Sequence, residues 1–482
     1  MPGTGQRRGD VGALREIDLD PLPFDRFRSV LDPDRYREYA DRWHDAKELL
    51  GDRVVWQINS TGTGGGVAEM LASLVRYALG AEIEARWLVI AGDDDFFRIT
   101  KRIHNRLHGV PGDEGPLEDT ERESYESTLQ RNADDLKGVI RAGDVVLLHD
   151  PQTAGLAPSL REAGAEVVWR CHIGIDEPND LVRGAWEFLR PYLEDARASV
   201  FSRREYVWEG LDGARVAVIA PSIDAFSLKN QDLHDDVARA ILAAAGVCPS
   251  SDAVEPRFER GNGSDATVQH RAEMIEDEPV PSDALLVAQV SRWDRLKDPV
   301  GVVRGFGEHV DSEGVHLVVA GPETASVTDD PEGADTVRAV RDAREALPPA
   351  ARRRVHLACL PSEDHEENAV VVNSLQRRAD VVVQKSLAEG FGLTVAEAMW
   401  KGRPVVASRV GGIQDQIEDG TSGVLVDDPA DLRSFGLALQ GVLHDPRRAG
   451  EMGRQARLRV RDHFLTPRHL EELVGLAERV LG

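Results

Sequence analysis

Short apolar runs rich in β-branched residues recur along the chain, and most are separated by stretches of helical character. In the first half they cover 54–60, 86–92, 144–150, 166–172, 198–202 and 216–221. In the second half they cover 284–291, 315–321, 354–360, 379–383, 404–408 and 423–426. Short continuous apolar runs suit strands buried on both faces. Their alternation with helices makes βα units and mostly parallel sheets. Two such series predict an α/β protein of two Rossmann-like, doubly wound domains with a cleft between them, ligands lying beyond the carboxyl ends of the strands. Residues 1–20 read as a loose arm, and 246–282, polar and rich in Pro, Gly and acidic residues, as a linker or surface insertion.

Length supports two domains, since 482 residues exceed one ordinary core. The 84 acidic and 58 basic residues leave a formal charge of −26, which argues against nucleic acid or an anionic membrane as main partner. Only 7 of the basic residues are Lys, a bias that speaks of genome composition or salt adaptation more than of mechanism. Cys171, Cys248 and Cys359 lie far apart without metal-ligand spacing. With no apolar segment after the first arginines and no run near the ~20 residues of a membrane span, the expectation is a reduced, cytoplasmic protein.

The most informative stretch runs from Gln384 to Gly402. A buried strand leads to Glu389, a Gly390-Phe-Gly392 turn follows, and a helix starts near Leu393 with Glu397 on its second turn. Free N–H groups at such a start can bind an anion. A carboxylate accepts hydrogen bonds from two neighbouring hydroxyls, so two carboxylates beside a phosphate site suit a nucleotide sugar. The plainer reading, two glutamates on a solvated helix face, fits poorly with the apolar residues between them.

Four further stretches follow strands. Asn59-Ser-Thr-Gly-Thr-Gly-Gly-Gly-Val-Ala-Glu69 lets backbone N–H groups approach a phosphate, or is simply a flexible turn. It carries neither a dinucleotide fingerprint nor a Walker loop, which disfavours a dehydrogenase. In Gln289-Val-Ser-Arg-Trp-Asp-Arg-Leu-Lys-Asp-Pro299, Arg292 and Lys297 can reach a diphosphate, with Arg295 as a third cation; the alternative is a solvated basic loop. His172, in Trp169-Arg-Cys-His-Ile-Gly-Ile-Asp176, can hydrogen-bond a sugar hydroxyl or stand as a structural histidine. His149, Asp150 and Gln152 are polar hands for a carbohydrate acceptor, or Asp150 and Pro151 are a capped helix start.

Taken together, these stretches resemble retaining, nucleotide-sugar-dependent glycosyltransferases of the GT-B architecture, from about Val54 to the C-terminus. Within them the chain looks most like the glycosyl-transferring trehalose synthases, through 59–69, 149–152, 169–176 and 289–294. The resemblance implies an acceptor-binding domain over 21–220 completed by a last helix at about 467–482, and a nucleotide-sugar-binding domain over 221–466. It implies reversible glucosyl transfer from an NDP-glucose to glucose, giving α,α-trehalose and NDP with retention. Glu389 holds the donor hexose and Glu397 the ribose diol. Arg292 and Lys297 neutralise the leaving diphosphate, and amides of Gly65, Gly66, Gly392, Leu393 and Thr394 complete its cradle. His172 contacts the hexose near the reacting carbon, and the base rests near Leu360. No tightly bound cofactor and no metal are expected, the nucleotide sugar being a co-substrate, and a homodimer is the family expectation. Closure of the cleft around the donor is expected as well, because the phosphate ligands are split between the two halves.

Three other readings remain. A retaining trehalose phosphorylase shares the architecture but leaves Glu397 no ribose. A sugar-phosphate acceptor would draw on Arg98, Lys101 and Arg102. A non-catalytic sensor of nucleotide sugars would show a broken motif, and none is broken.

Overall fold

The computed structural model describes residues 13–250, 254–323 and 331–482. The chain divides into two compact units, Met1–Ser222 with Thr466–Gly482, and Ile223–Leu465.

The first unit holds a seven-stranded sheet: β1 (Arg15–Ile17), β2 (Val55–Asn59), β3 (Ala85–Val89), β4 (Val145–His149), β5 (Glu166–Cys171), β6 (Ala198–Phe201) and β7 (Val216–Val218). The spatial order is β1-β3-β2-β4-β5-β6-β7. All pairs are parallel except β1 with β3. Trp56, Leu88, Leu148, Trp169 and Phe201 are buried together with Tyr125, Trp186 and Phe188 from the covering helices. Trp87 and Val89 pack on the other face against Leu71 and Val75 of the helix Gly66–Gly80. Strands buried on both faces explain why these segments read as continuous apolar runs.

The second unit repeats the plan with β10 (Glu273–Ile275), β11 (Leu285–Val290), β12 (Val315–Pro322), β13 (Val355–Leu360), β14 (Val381–Gln384), β15 (Val405–Ser408) and β16 (Val424–Val426), in the order β10-β13-β12-β11-β14-β15-β16. Again the edge strand is antiparallel, here β10 on β13. Ahead of it a small hairpin pairs β8 (Arg257–Glu259) with β9 (Asp265–Thr267).

Two expectations change here. Of the supposed arm 1–20, residues 1–12 lie outside the described residues, but Arg15–Ile17 is a sheet edge, fixed by the Glu16–Arg86 ion pair. The stretch 246–282 is more than a linker, because it contributes the β8–β9 hairpin and the edge strand β10. Both edge strands are three residues long, and one side of each lacks a neighbour, so neither needs an apolar run. Pattern reading that looks for buried runs passes over them.

Each sheet has one point where successive strands turn to opposite sides. In the first unit it lies between β2 and β4, in the second between β11 and β14. Crevices beyond the carboxyl ends of such strand pairs are where doubly wound sheets bind ligands.

Candidate functional site

In the second unit the loops after β11 and β14 meet across the switch point. Lys297 ends a short turn, Arg295–Lys297, whose start is capped by Asp294 accepting from the Leu296 N–H at 2.8 Å. The Lys297 ammonium lies 2.5 Å from Glu389 Oε2, with side chains only 18% and 10% exposed. Ser386 Oγ donates to the same carboxylate oxygen at 3.4 Å. Leu387 N–H donates to the Leu296 carbonyl at 2.7 Å, stitching the two loops together.

Beneath them sits a second pair, in which Lys385 is fully buried and Asp298 is 17% exposed. Lys385 is bonded to Asp298, whose other oxygen accepts from Gly301 N–H at 2.9 Å and so caps the helix Pro299–His309. Asp298 adopts φ 46°, a left-handed conformation tolerated by Asp where local hydrogen bonds hold it. Gln289, buried at the end of β11, donates to the Lys297 carbonyl at 3.0 Å. The position of Lys297 is thus fixed from its backbone as well as its charge.

After Glu389 the chain turns through Gly392 at φ 85°, and the helix Leu393–Trp400 begins. A Cβ at Gly392 would come within 3.1 Å of Ile413 and 3.2 Å of Glu389, so space and φ both favour glycine there. Gln416 donates to the Phe391 carbonyl at 2.5 Å and holds the turn from behind. Thr394 Oγ1 donates to Gln384 Oε1 at 3.4 Å. Glu397 is 3% exposed, the one charged residue of this helix. Arg292 extends towards solvent, 64% exposed and 3.7 Å from Asp294. Leu360 is buried at the end of β13, its carbonyl accepting from Glu323 N–H at 2.8 Å.

In the first unit the glycine loop follows β2. Gly64 and Gly65 have φ of 73° and 81°, both left-handed, and the helix Gly66–Gly80 starts immediately after. A Cβ at either would meet nothing, so conformation alone demands glycine. At the end of β4, His149 is buried, with Nε2 2.7 Å from Gln57 Oε1 and Nδ1 3.1 Å from His172 Nε2. With the Gln57 carbonyl facing it, His149 Nε2 carries the proton and Nδ1 accepts from His172 Nε2–H. Burial, with Arg170 nearby, pushes His149 down to about 3, and burial holds His172 well below the ordinary imidazole value. Both rings are neutral at physiological pH.

Asp150 sits at φ 63° and accepts from His172 N–H at 2.8 Å. That carboxylate therefore fixes the His172 backbone, which replaces the expectation of a helix cap: the first turn after it, Ala154–Leu156, has Thr153 at its start and no side-chain cap. Burial raises the Asp150 carboxyl to about 7, against the opposing His172 amide and Arg170. Gln152 Oε1 is buried without a hydrogen-bond partner among the described residues.

Behind these groups runs a buried chain with no sequence signal of its own. Arg170 Nη1 donates to His469 Nε2 at 2.6 Å, leaving His469 Nδ1–H for Ser222 Oγ at 2.9 Å. Arg170 also reaches the Ile219 carbonyl at 3.1 Å. Burial, with Arg468 beside it, lowers the guanidinium to about 9. The Arg170–His469 contact spans 299 residues of sequence, which no local pattern reveals.

The structure brings Lys297, Glu389, Gly392, Leu393, Thr394 and Glu397 together at one switch point, and His149, Asp150, His172 and the Gly64–Gly66 loop to strand ends at the other. Sequence reasoning missed Lys385, Asp298, Gln57 and Arg170. Lys385 lies within Gln384–Gly402, and a lysine at the end of an apolar strand is the available signal. The basic trio proposed for a sugar phosphate is largely committed elsewhere. Arg102, 2% exposed, holds Asp113 at 2.5 and 2.8 Å and the Pro116 carbonyl, and Arg98 pairs with Asp95 at 2.8 Å. Among the described residues no group of three His, Cys, Asp or Glu side chains is arranged to hold a metal ion, and no helix is long and apolar enough to cross a membrane.

Two family models match the chain, "Trehalose synthase, N-terminal domain" over residues 57–208 and "Glycosyl transferases group 1" over 270–459. A trehalose synthase of Rubrobacter xylanophilus is 37% identical over 460 residues, covering 95% of this chain and 96% of that protein. A trehalose synthase of Pyrococcus horikoshii is 34% identical over 477 residues, covering 97% and 99%. A trehalose phosphorylase of Pleurotus sajor-caju is 28% identical over 412 residues, covering 79% of this chain and 52% of that protein. Among solved structures, a UDP-forming α,α-trehalose-phosphate synthase from Burkholderia vietnamiensis superposes with TM-score 0.64 at 15% identity, covering 89% of this chain and 97% of that one. A sucrose-phosphate synthase from Thermosynechococcus elongatus gives 0.60 at 19%, covering 88% and 98%. At these identities the structures speak for the GT-B fold alone.

Proposed function

The chain belongs to the trehalose synthase family, a GT-B glycosyltransferase of trehalose-related glucosyl transfer, and we propose that it moves glucose from an NDP-glucose to free glucose with retention, forming α,α-trehalose and NDP reversibly. The observation that carries this reading is the Lys297–Glu389 pair beside the helix start at Gly392–Thr394, with Glu397 buried one turn further on. A cation, a row of free amides and two carboxylates within one loop–helix unit suit the diphosphate and the flanking hydroxyls of a nucleotide sugar.

In this reading the bond between glucosyl C1 and the diphosphate oxygen breaks while C1 bonds to the acceptor oxygen. The acceptor's proton passes to the departing diphosphate on the same face, which accounts for retention. Negative charge grows on the leaving group, so Lys297, Arg292 and the amides of Gly392, Leu393 and Thr394 stabilise the transition state more than the ground state. Amides of Gly65 and Gly66 serve the same diphosphate, the base lies near Leu360, Glu389 holds the hexose, and Glu397 takes the ribose diol. His172, neutral and anchored by Asp150 and His149, contacts the hexose near C1. His149, Asp150 and Gln152 serve the acceptor. The two glutamates lie on one side of the donor and are not a glycosidase pair flanking the scissile bond.

The reading is tested by NMR of the purified protein with glucose and ADP-, UDP- or GDP-glucose, and in reverse with trehalose and NDP. A symmetric α,α-anomeric signal that forms with one donor and is consumed with its NDP supports it. A second reading, phosphorolysis of trehalose, is favoured by the likeness to the Pleurotus protein. Consumption of trehalose with phosphate alone would select it. The proposal also includes a metal-independent reaction, cytoplasmic residence and a homodimer. Complete loss of activity in excess EDTA would overturn the first, and light scattering of a monomer the last.

A further inference from the structure

Lys401 ends the helix that carries Glu397 and is 5% exposed. A buried ammonium needs acceptors and a compensating charge. Its Nζ donates to Asn230 Oδ1 at 3.1 Å and to the Glu397 carbonyl at 3.1 Å. Asn230 belongs to the stretch with which the second unit begins, and that stretch is tied down repeatedly. Trp400 Nε1 donates to the Asn230 carbonyl at 3.2 Å, Asn373 Nδ2 to the Leu228 and Gln231 carbonyls at 2.9 and 3.0 Å, and Arg377 to Gln231 and Asp232 at 2.9 and 3.0 Å. The helix bearing Glu397 is thereby pinned at its C-terminal end to a strap over 224–232.

We propose that Lys401 is a positioning residue of the donor site: it pins the Glu397 helix to this strap and supplies the buried positive charge that balances the Glu397 carboxylate when an anionic nucleotide sugar binds. The inference rests on Glu397 serving the donor. The plainer alternative is a cation that only caps a helix C-terminus.

The electrostatic surroundings give the idea a pH signature. The charged groups around Lys401 are Glu397 on its own helix, Arg377 on the helix His365–Arg378, and Lys229 in the strap. Arg457, from the helix Pro446–His463, stacks 4.5 Å over the Trp400 ring and faces Asp232. Burial, aided by the two cations Arg377 and Lys229, brings the ammonium down to about 7, with Glu397 opposing. Above that value Lys401 is neutral, and the surroundings of Glu397 hold one positive charge fewer. A diphosphate then meets a more negative site, so donor affinity falls as pH rises through neutrality, and bound nucleotide raises the lysine's own titration midpoint.

The chain has only seven lysines, so selective 13Cε-lysine labelling makes the group directly observable. One resonance should titrate near neutrality, vanish in Lys401→Met, and move up by about one pH unit on adding nucleoside diphosphate. The donor KM should be flat below neutrality and rise by up to about tenfold per unit above it while kcat changes little. In Lys401→Met it should be raised about tenfold at pH 6 and lose this pH dependence. Should Lys401→Met not fold, Asn230→Asp places a carboxylate against the ammonium and should move the alkaline break upward. A Lys401 resonance titrating with the other lysines, or a midpoint blind to nucleotide, overturns the proposal. So does a Lys401→Met variant that lowers Tm but keeps the wild-type KM profile, since that is the behaviour of a helix cap. Glu397→Gln separates the two levels. If it leaves donor KM unchanged, the donor reading and this proposal fall together. If it raises donor KM while Lys401→Met does not, only the role of Lys401 falls.

Discussion

Lys297 is held by its carbonyl as well as by its ammonium, through Gln289 at 3.0 Å and Glu389 at 2.5 Å. A side chain fixed in this way loses little entropy when charge develops on a leaving group, so it acts mainly on turnover. Lys297→Ala should therefore lower kcat by about 100-fold or more with a smaller change in donor KM. Glu397→Ala should instead raise donor KM about tenfold or more, having removed hydrogen bonds made equally in ground and transition states. Steady-state kinetics distinguishes the two, and the reverse pattern would exchange the roles. Asp150 carries a stability signature. Its folded-state carboxyl is raised to about 7 from an ordinary value near 4, so the protonated form is favoured by folding. The associated stability is fully present below the unfolded value and is lost as pH rises through the folded one. Asp150→Asn keeps the acceptor for His172 N–H and removes the charge. It should stabilise the protein by about 1–3 kcal/mol at pH 8 and by almost nothing at pH 4. Thermal melts at the two pH values decide it, and an equal effect at both would mean that Asp150 is not a buried acid.

At the scale of elements, the β8–β9 hairpin and the residues after it are fastened mainly through the acidic side chains of 364–367. Arg260 pairs with Asp364 and with Glu366 at 2.9 Å, and Glu367 accepts from the Gln269 and His270 amides at 2.8 and 2.6 Å and from His270 Nδ1 at 3.0 Å. The Glu367 hydrogen bond raises His270 above the ordinary imidazole value. Docking is strongest where His270 is charged and weakens as pH rises through its folded value. Hydrogen-exchange protection of 255–272 should fall between pH 6 and pH 9, and His270→Gln should remove that pH dependence; protection unaltered by pH would leave Arg260 as the fastener. The hairpin also shows where the sequence stopped being legible. Buried parallel strands and their turns could be read because an apolar run and a glycine at positive φ leave local traces, as at 381–384 and Gly392. β1, β8, β9 and β10 are three residues each and lie on edges or apart from the main sheets, too short to form an apolar run. The same division holds for the site. Glu389 and Lys297 were legible because loop residues follow strands at fixed offsets, and Glu397 because the helix after the Gly390–Gly392 turn starts at a fixed place. Lys385–Asp298, Gln57–His149 and Arg170–His469 pair across 87, 92 and 299 positions, and such pairing is set by topology.

At the scale of the whole molecule, the two units differ in how they are completed. The second is continuous, Ile223–Leu465, whereas the first needs the helix Thr466–Leu481 from the far end of the chain. Leu470, Val474 and Leu476 of that helix share an apolar lining with Trp43, Leu50 and Leu74. Its polar contacts are as important. Arg42 pairs with Glu478 at 2.8 Å, Arg468 reaches the Ala220 and Pro221 carbonyls at 2.8 and 2.9 Å, and His469 is the acceptor for the buried Arg170. Ending the chain at Leu465 exposes the apolar lining and leaves a buried guanidinium short of a partner, a loss of about 3 kcal/mol from that group alone. Against a domain stability of about 5–15 kcal/mol, the two losses together are enough to unfold the first unit. The second unit loses none of its own strands or core. The expected result is that a fragment of residues 223–465 folds cooperatively and still binds nucleoside diphosphate, while a chain ending at 465 shows one calorimetric transition instead of the full heat of unfolding. A 223–465 fragment that is unfolded would mean that the second unit depends on the first. A 1–465 chain with the full heat of unfolding would mean that the C-terminal helix is an ornament, and that Arg170 finds its acceptor elsewhere.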